Sequence, residues 1–267
     1  MPFKSPKEIA ELACSAGTAK TQLPWTKMLV LGLLAGAYIA FGAQLAVTAS
    51  AGITITGVQK LILGAVFPVG LMLVVIAGSE LFTGNCAIPV ISCMHGKAKI
   101  TGLLKNWLFV YIGNFIGALI VAYFLAYMTG LFTQAPWQDY IGAIATKKCS
   151  LGWGQAFFRG VGCNWLVCLA VWMAMASDSI GGKIWAIWWP IMAFVCMGYE
   201  HSVANMFFVP AGILSAGTVT WSDFIVKNLI PVTLGNIVGA GVFVAGIYWY
   251  VYLRTPKQKV QQPPAAK

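Results

Sequence analysis

The sequence predicts an all-α integral membrane protein with six transmembrane helices, and composition, segment length and an internal repeat lead to this class. Of the 267 residues, 59% are hydrophobic and 9% are charged, with a mean hydropathy of +0.80. A soluble domain carries about 25% charged residues, so this composition excludes one. A helix needs about 20 apolar residues to cross a bilayer, far more than the short alternating strands of a β-barrel. Six apolar segments reach that length, at 28–49, 61–93, 107–132, 157–176, 184–217 and 229–253.

The second and fifth segments are longer than one crossing needs, and each contains the same interruption. Residues 78–85 read GSELFTGN and precede Pro89, whereas residues 198–205 read GYEHSVAN and precede Pro210. In both, a Gly stands two residues before a Glu and an Asn stands five residues after it. Interrupted apolar segments that recur in two halves of a membrane protein indicate broken helices at a substrate site. We therefore expect spans two and five each to be one crossing made of two half-helices.

A longer duplication relates the two halves of the chain. Residues 113–118 (GNFIGA) match residues 235–240 (GNIVGA) at an offset of 122, close to the 120 that separates Glu80 from Glu200. The sequence thus predicts one membrane domain over 1–267 with a 3+3 inverted repeat. Its units are 28–132 and 157–253, and 133–156 connects them on the extracytoplasmic side. Each unit has an odd number of spans, so the units must have opposite orientation.

Both termini are expected on the cytoplasmic side of a cytoplasmic (inner) membrane. With that orientation the inner segments hold 12 Lys and Arg residues and the outer segments hold 5, in agreement with the positive-inside rule. Residues 1–27 lack the apolar region of a cleavable signal peptide, and 5–20 are expected to form an amphipathic surface helix. Residues 254–267 are expected to be disordered. The net charge of +10 favours contact with lipid headgroups over nucleic acid binding.

No cofactor or metal site is indicated by the sequence. The seven cysteines are odd in number and form no C-x-x-C pair, so we interpret them as packing residues. Motifs of esterases, zinc proteases, P-loop proteins and dinucleotide-binding enzymes are absent, and the chain is not expected to be an enzyme. Asn-Pro-Ala boxes are also absent, which counts against an aquaporin.

Three ionisable residues lie deep inside apolar spans, where a charge costs a few kcal/mol and often marks a pathway. Glu80 and Glu200 occupy equivalent positions, so we interpret them as supports of the helix breaks, satisfying exposed backbone N–H groups. His201 has Leu81 as its counterpart, and this asymmetry favours a pore-lining role. Thr83, in the opposite break, is a candidate to face His201 across the pore.

Other residues near the breaks are candidates for anion binding and for narrow apolar passages. The half-helices are expected to begin near Ile88 and Met206, and helix N-termini suit anions. Asn114 and Asn236 are expected either to hydrogen-bond the broken backbone or to line the pore. The glycines beside these asparagines are interpreted as helix-packing residues. Apolar side chains that reject hydrated ions are expected at Leu71, Leu81, Phe82, Phe194 and Phe207, with ordinary helix packing as the alternative for each.

Five motifs together resemble the formate/nitrite transporter family, over about residues 5–254. They are GSELFT (78–83), NW (106–107) with GN (113–114), Asn164 with VCLAVWM (167–173), EHSVANMF (200–207), and NLIPVT (228–233) with GN (235–236). The resemblance implies aquaporin-like protomers that assemble as pentamers, with one pore in each protomer. It also implies transport of a small monovalent anion: formate, nitrite or hydrosulfide.

The resemblance also implies roles for individual residues. His201 would be the central histidine and Thr83 would lie in the central chamber, with Asn164 on a pore-facing helix. Lys148 would be the vestibule lysine, although Lys147 beside it leaves that assignment open. The full set of expected constriction residues is Phe67, Leu71, Leu81, Phe82, Phe194 and Phe207. The expected supports of the helix breaks are Glu80, Glu200, Asn85, Asn205, Asn114 and Asn236.

The leading hypothesis is a channel or proton-coupled carrier for a small weak-acid anion. A vestibule lysine would concentrate the anion, apolar constrictions would favour the neutral acid, and His201 would exchange a proton or donate a hydrogen bond. The alternative is a pore for neutral solutes such as water, glycerol or ammonia. A third hypothesis is a receptor or scaffold without transport, but it does not explain why broken helices occur in both repeats. The sequence does not choose among the anions.

Overall fold

The computed structural model describes residues 3–254, and its secondary structure consists of ten helices. In chain order they are α1 (Pro6–Gln22), α2 (Trp25–Ser50), α3 (Thr56–Gly78), α4 (Phe82–Met94), α5 (Ile100–Tyr127), α6 (Trp137–Cys149), α7 (Trp153–Ala176), α8 (Ile180–Met197), α9 (Ser202–Ala216) and α10 (Asp223–Leu253).

Six helices in residues 3–254 are long and apolar enough to cross a membrane, which confirms the predicted number of spans. They are α2, α3, α5, α7, α8 and α10. Each begins three to seven residues before the predicted start. Lys105 lies in the second turn of α5 and Asp223 in the first turn of α10, and such polar residues make a hydropathy criterion place the helix starts too late.

The predicted surface segment forms α1, and the connection between the repeats contains α6. Ser5 caps α1: its hydroxyl accepts a hydrogen bond from the Glu8 N–H, and the Glu8 carboxylate accepts one from the Ser5 N–H. This reciprocal pair is a capping box, which fixes the first residue of the helix. The predicted disordered tail lies outside the described residues beyond Arg254.

Glycines let the long helices of each half approach closely, and this matches the packing role predicted for the Gly-Asn motifs. A Cβ atom at Gly160 of α7 would lie 2.7 Å from the Val232 carbonyl oxygen of α10. In the first half, a Cβ at Gly113 of α5 would lie 2.5 Å from the Leu29 carbonyl oxygen of α2. Both distances are too short for a real contact, so a larger residue would force these helices apart.

The predicted second and fifth segments are each interrupted, between α3 and α4 and between α8 and α9, and a glycine stands at each interruption. Gly78 ends α3 with φ of +87°, and Gly198 follows α8 with φ of +76°. Residues with a side chain rarely adopt this left-handed region, which explains glycine at both positions. Helix α4 consists of a short turn, Phe82–Asn85, and a segment Ile88–Met94 that begins at the predicted position, whereas α9 begins at Ser202, earlier than the predicted start near Met206.

Candidate substrate pathway

Two cavities adjoin the interruptions. The first, of about 530 Å³, is called the α1-side cavity, and its wall includes Lys20, Leu71, Glu80, Leu81 and Gly84. The second, of about 330 Å³, is called the α6-side cavity, and its wall includes Phe67, Lys147, Lys148, Arg159, Glu200, His201 and Phe208. Phe67 and Leu71 stand one helical turn apart on α3 and each reaches a different cavity.

His201 and Thr83 meet between these cavities. The Thr83 Oγ1 atom lies 3.0 Å from the His201 Nε2 atom, and both side chains are buried. Thr83 stands between Leu81 and Gly84, which line the α1-side cavity, whereas His201 lines the α6-side cavity. The pair is therefore a polar contact between two otherwise separate spaces.

The His201 ring is held by the start of helix α9. Its Nδ1 atom accepts a hydrogen bond of 3.1 Å from the Ala204 N–H, so the histidine is the N-cap of this helix. A neutral imidazole has one acceptor nitrogen and one donor nitrogen. Because Nδ1 accepts, the neutral ring carries its hydrogen on Nε2, which faces Thr83.

Asn164 fixes the backbone of Thr83 and does not present its amide nitrogen to a cavity. The Asn164 Nδ2 atom donates to the Thr83 carbonyl at 3.0 Å and to the Asn236 carbonyl at 2.7 Å. The Cys168 thiol, one turn further along α7, also contacts the Thr83 carbonyl at 3.3 Å. Helix α7 thereby positions Thr83 in front of His201.

Asn114 and Asn236 support the two interruptions in the same way. The Asn114 Oδ1 atom accepts from the Phe82 N–H at 2.9 Å, and its Nδ2 atom donates to the Glu80 carbonyl at 3.0 Å. Asn236 repeats this with the Ser202 N–H at 2.9 Å and the Glu200 carbonyl at 3.0 Å. The broken backbone is thus satisfied by asparagine side chains, and the two helix starts are fixed where these bonds are made.

The carboxylates of the two glutamates bind lysine and asparagine side chains, and not the exposed backbone N–H groups that were expected as their partners. Glu80 accepts from Lys20 at 2.7 Å and from Asn85 at 2.7 Å. Asn85 also donates to Asn106 at 2.9 Å, and Asn106 donates to the Lys20 carbonyl at 3.3 Å. A buried carboxylate requires such partners, and this four-residue set provides them. We call it the Lys20 cluster.

An equivalent set, the Lys148 cluster, surrounds the second glutamate. Glu200 accepts from Lys148 at 3.0 Å and from Asn205 at 2.7 Å. Asn205 donates to Asn228 at 2.7 Å, and Asn228 donates to the Lys148 carbonyl at 3.0 Å. Lys148 is therefore ion-paired while it lines the α6-side cavity, and which of Lys147 and Lys148 is the vestibule lysine stays a prediction.

The two clusters match residue by residue, and this extends the internal repeat to α1 and α6. Sequence reasoning did not assign a site role to Lys20, Asn106 or Asn228. Two signals were available: the asparagines share the offset of 122 found for the Gly-Asn motifs, and Lys20 precedes Lys148 by 128. The starts of α2 and α7 are also 128 residues apart, so the lysines keep the offset of the helices that follow them, and the offset falls to 120 only between those helices and the glutamates.

Aromatic residues pack against His201 on the side of the α6-side cavity. Phe194 stacks on the His201 ring with centroids 6.0 Å apart, and Phe67 meets Phe194 edge to face at 5.9 Å. Phe208 lines the α6-side cavity, whereas the predicted Phe207 packs against Phe132 away from it. The rotation of α9 about its axis determines that Phe208, and not Phe207, faces the α6-side cavity.

Phe82 also lies away from both cavities. Its ring packs against Trp107 and Tyr111, with centroids 5.9 Å and 4.7 Å apart, in a lateral groove between α5 and α10. Its role at a constriction stays a prediction. Leu71 and Leu81 line the α1-side cavity and remain the candidates for an apolar passage on that side.

The two cavities differ in charge. The α6-side wall holds Lys60, Lys147, Lys148 and Arg159 against one carboxylate, Glu200. The α1-side wall holds one cation and one carboxylate, Lys20 and Glu80, which form an ion pair. Among residues 3–254, the ion pairs do not include Lys60, Lys147 or Arg159. These three cations give the α6-side cavity an excess of positive charge.

Comparison with known proteins gives one consistent match. A family model described as formate/nitrite transporter matches residues 7–250. A Methanothermobacter thermautotrophicus protein called "Probable formate transporter" is 53% identical over 94% of this chain and 98% of its own length. The formate channel BtFdhC of Bacillus thuringiensis is 40% identical over 94% of this chain and 97% of its own length.

Solved structures agree with the sequence comparisons. A structure described as "FNT family ion channel" has a TM-score of 0.86 and 31% identity, covering 91% of this chain and 98% of its own. A "Pentameric formate channel with formate bound" has a TM-score of 0.76 and 36% identity, covering 86% and 98%. The helical architecture and the sequence together establish that this chain belongs to the formate/nitrite transporter family.

Proposed function

We propose that this protein conducts a small monovalent weak-acid anion, with formate as the first candidate, through the pathway marked by its two cavities. The observation that carries the proposal is the buried contact between His201 Nε2 and Thr83 Oγ1, which lies between those cavities. Formate channels among its relatives supply the substrate candidate. Nitrite and hydrosulfide share the single charge and the weak conjugate acid, and they are the other candidates.

Charge supports entry of the anion from the α6-side cavity. Lys60, Lys147 and Arg159 create a positive potential there, which raises the local concentration of anions. Beyond them the anion meets Phe67 and Phe194, where loss of hydration disfavours the charged form and favours the neutral acid. Weak acids are therefore expected to pass, whereas chloride and nitrate are expected to pass poorly.

Hydrogen bonding supports the role of His201 as a fixed donor. The ring accepts from the Ala204 N–H through Nδ1, so only Nε2–H is available to an anion. A second proton on Nδ1 would set two N–H groups against each other and would remove the cap of α9. His201 accordingly donates a hydrogen bond to the anion, with Thr83 Oγ1 as a second donor, and keeps its own proton.

Membrane location and orientation follow from the distribution of basic residues. With α1 on the cytoplasmic side of a cytoplasmic membrane, 12 of the 17 Lys and Arg residues face inward. The α6-side cavity then opens outward. This arrangement attracts external anions towards His201.

The test is flux into proteoliposomes from about pH 5 to 8, with His201→Phe and His201→Gln as paired variants. Phenylalanine keeps an aromatic ring but has no donor, so formate flux should fall by about 10- to 100-fold, the effect of losing one hydrogen bond to a charged group. Glutamine keeps an N–H donor and does not titrate, so it should retain flux and the pH profile. Wild-type rates in His201→Phe would overturn the mechanism, and flux of glycerol but not of formate, nitrite or hydrosulfide would overturn the function.

A further inference from the structure

A third cavity, of about 470 Å³, lies outside the substrate pathway and is lined mainly by charged side chains. Lys7 and Glu11 of α1, His95 and Lys97 of the turn after α4, and Arg254 at the end of α10 contribute to its wall. Three separate elements therefore bring basic residues to one place. Neither the His201 contact nor the Lys20 and Lys148 clusters use any of these residues.

The charge of this cavity is not balanced by protein groups. Lys7, Lys97 and Arg254 provide three positive charges, and Glu11 is the one carboxylate in the wall. The ion pairs within residues 3–254 include none of the four. Arg254 instead stacks on the Tyr250 ring, with the guanidinium carbon 5.0 Å from the centroid. An anion with several acceptor oxygens would satisfy this set.

Exposed apolar side chains border the same residues. Met94 directly precedes His95 and is 40% exposed, while Tyr250 and Val251, just before Arg254, are 60% and 59% exposed. On α10, Val242 and Ile247 are also exposed, so apolar surface continues from Arg254 along this helix, whereas Met94 is the one exposed side chain of α4. Phosphate groups of lipids lie at this boundary between acyl chains and water.

We propose that the cavity formed by Lys7, His95, Lys97 and Arg254 binds the phosphate headgroup of an anionic phospholipid. The three cations contact the phosphate oxygens, and the acyl chains lie against the exposed side chains of α10 and against Met94. Because α1 supplies Lys7, a bound lipid links α1 to α10 and to the turn after α4. The lipid is thus a structural ligand of the α1 face of the protein.

The test is native mass spectrometry of the full-length protein released from nanodiscs that contain phosphatidylglycerol and phosphatidylcholine. Wild type should retain phosphatidylglycerol selectively. The variant Lys7→Gln/Lys97→Gln/Arg254→Gln should lose affinity by about fivefold for each removed cation, the equivalent of about 1 kcal/mol per charge. The control variant Lys27→Gln/Lys99→Gln/Lys183→Gln removes the same charge from the same face outside the cavity and should retain the lipid.

Three results would overturn the proposal. One is equal loss of phosphatidylglycerol from both triple variants, which would show a diffuse charge effect. Another is retention of the lipid by the Lys7/Lys97/Arg254 variant at the wild-type level. A third is displacement of bound phosphatidylglycerol by millimolar inorganic phosphate, which would identify a soluble anion as the ligand.

Discussion

At the residue scale, the ion pair between Lys148 and Glu200 has a consequence for stability. The side chains are 15% and 4% exposed, so neither charge is well hydrated. Lys148→Met should destabilise the protein by about 3–5 kcal/mol, because it leaves the Glu200 carboxylate buried without a cation. Thermal unfolding in detergent measures the loss. The double variant Lys148→Met/Glu200→Gln should recover much of it, since the uncompensated charge is gone.

Lys147 provides the matched control for this prediction. It neighbours Lys148 and lines the same cavity, but no ion pair within residues 3–254 includes it. Lys147→Met should leave the unfolding temperature nearly unchanged and should lower anion flux mainly at low salt, because screening acts over about 8 Å at physiological ionic strength. If Lys147→Met destabilises as much as Lys148→Met, the buried pair is not the cause.

Individual residues also show what the sequence reveals and what it hides. His201 was identifiable because an ionisable group is rare in an apolar span and has Leu81 as its counterpart. Lys20 was hidden, because a lysine in an amphipathic segment reads as a solvated surface residue. Its contact with Glu80, 60 positions away, arises only when α1 folds back against the first break. The sequence did not reveal that Phe208 lines the α6-side cavity in place of Phe207, because this depends on the rotation of α9 about its axis.

At the element scale, the capping box of α1 predicts a pH effect on that helix. The side-chain and backbone hydrogen bonds to Ser5 hold the pKa of Glu8 below its ordinary value of 4.5. Because folding lowers the pKa of Glu8, the stabilisation that its carboxylate gives to α1 is complete above the ordinary pKa. This stabilisation is lost as the pH falls through the pKa that Glu8 has in the folded protein. The protection factors of the first-turn amides of α1, which are corrected for the intrinsic pH dependence of exchange, should therefore fall as pH drops below 4.5.

Two substitutions on α1 test that prediction. Glu8→Gln removes the titrating group of the capping box and should make the first-turn protection factors nearly independent of pH in this range. Glu11→Gln removes a carboxylate of the same helix that takes no part in the box and should leave the wild-type profile. If Glu11→Gln alone abolishes the acid response, the capping box is not its source.

The sequence predicted the existence of the helices better than the residues at which they begin. Six spans followed from apolar length, and α1 from its mixed polar composition. The first turn of α4 and the start of α9 did not follow, because Asn114 and Asn236 reach them from other helices. Local patterns contain no information about a cap supplied from more than 30 residues away.

At the scale of the whole molecule, assembly and conduction can be separated. We predict a homopentamer, because the chain shares its fold with a pentameric formate channel. Apolar residues exposed around the lateral groove between α5 and α10, such as Leu108 and Ile230, provide surface for subunit contacts or lipid. Native mass spectrometry should give the mass of five chains of 28.6 kDa. A monomer or trimer as the sole species would contradict this.

Each protomer of that pentamer should conduct independently. Thr83, His201 and both lysine clusters come from one chain, so the candidate pathway needs no residue from a neighbour. In pentamers co-expressed from wild type and His201→Phe, formate flux should therefore fall linearly with the wild-type fraction, to about half in an equal mixture. A shared central pathway that needed five intact histidines would retain roughly 3% in the same mixture. Flux near that lower value, with pentamers still present by mass, would show that conduction belongs to the assembly and not to the single chain.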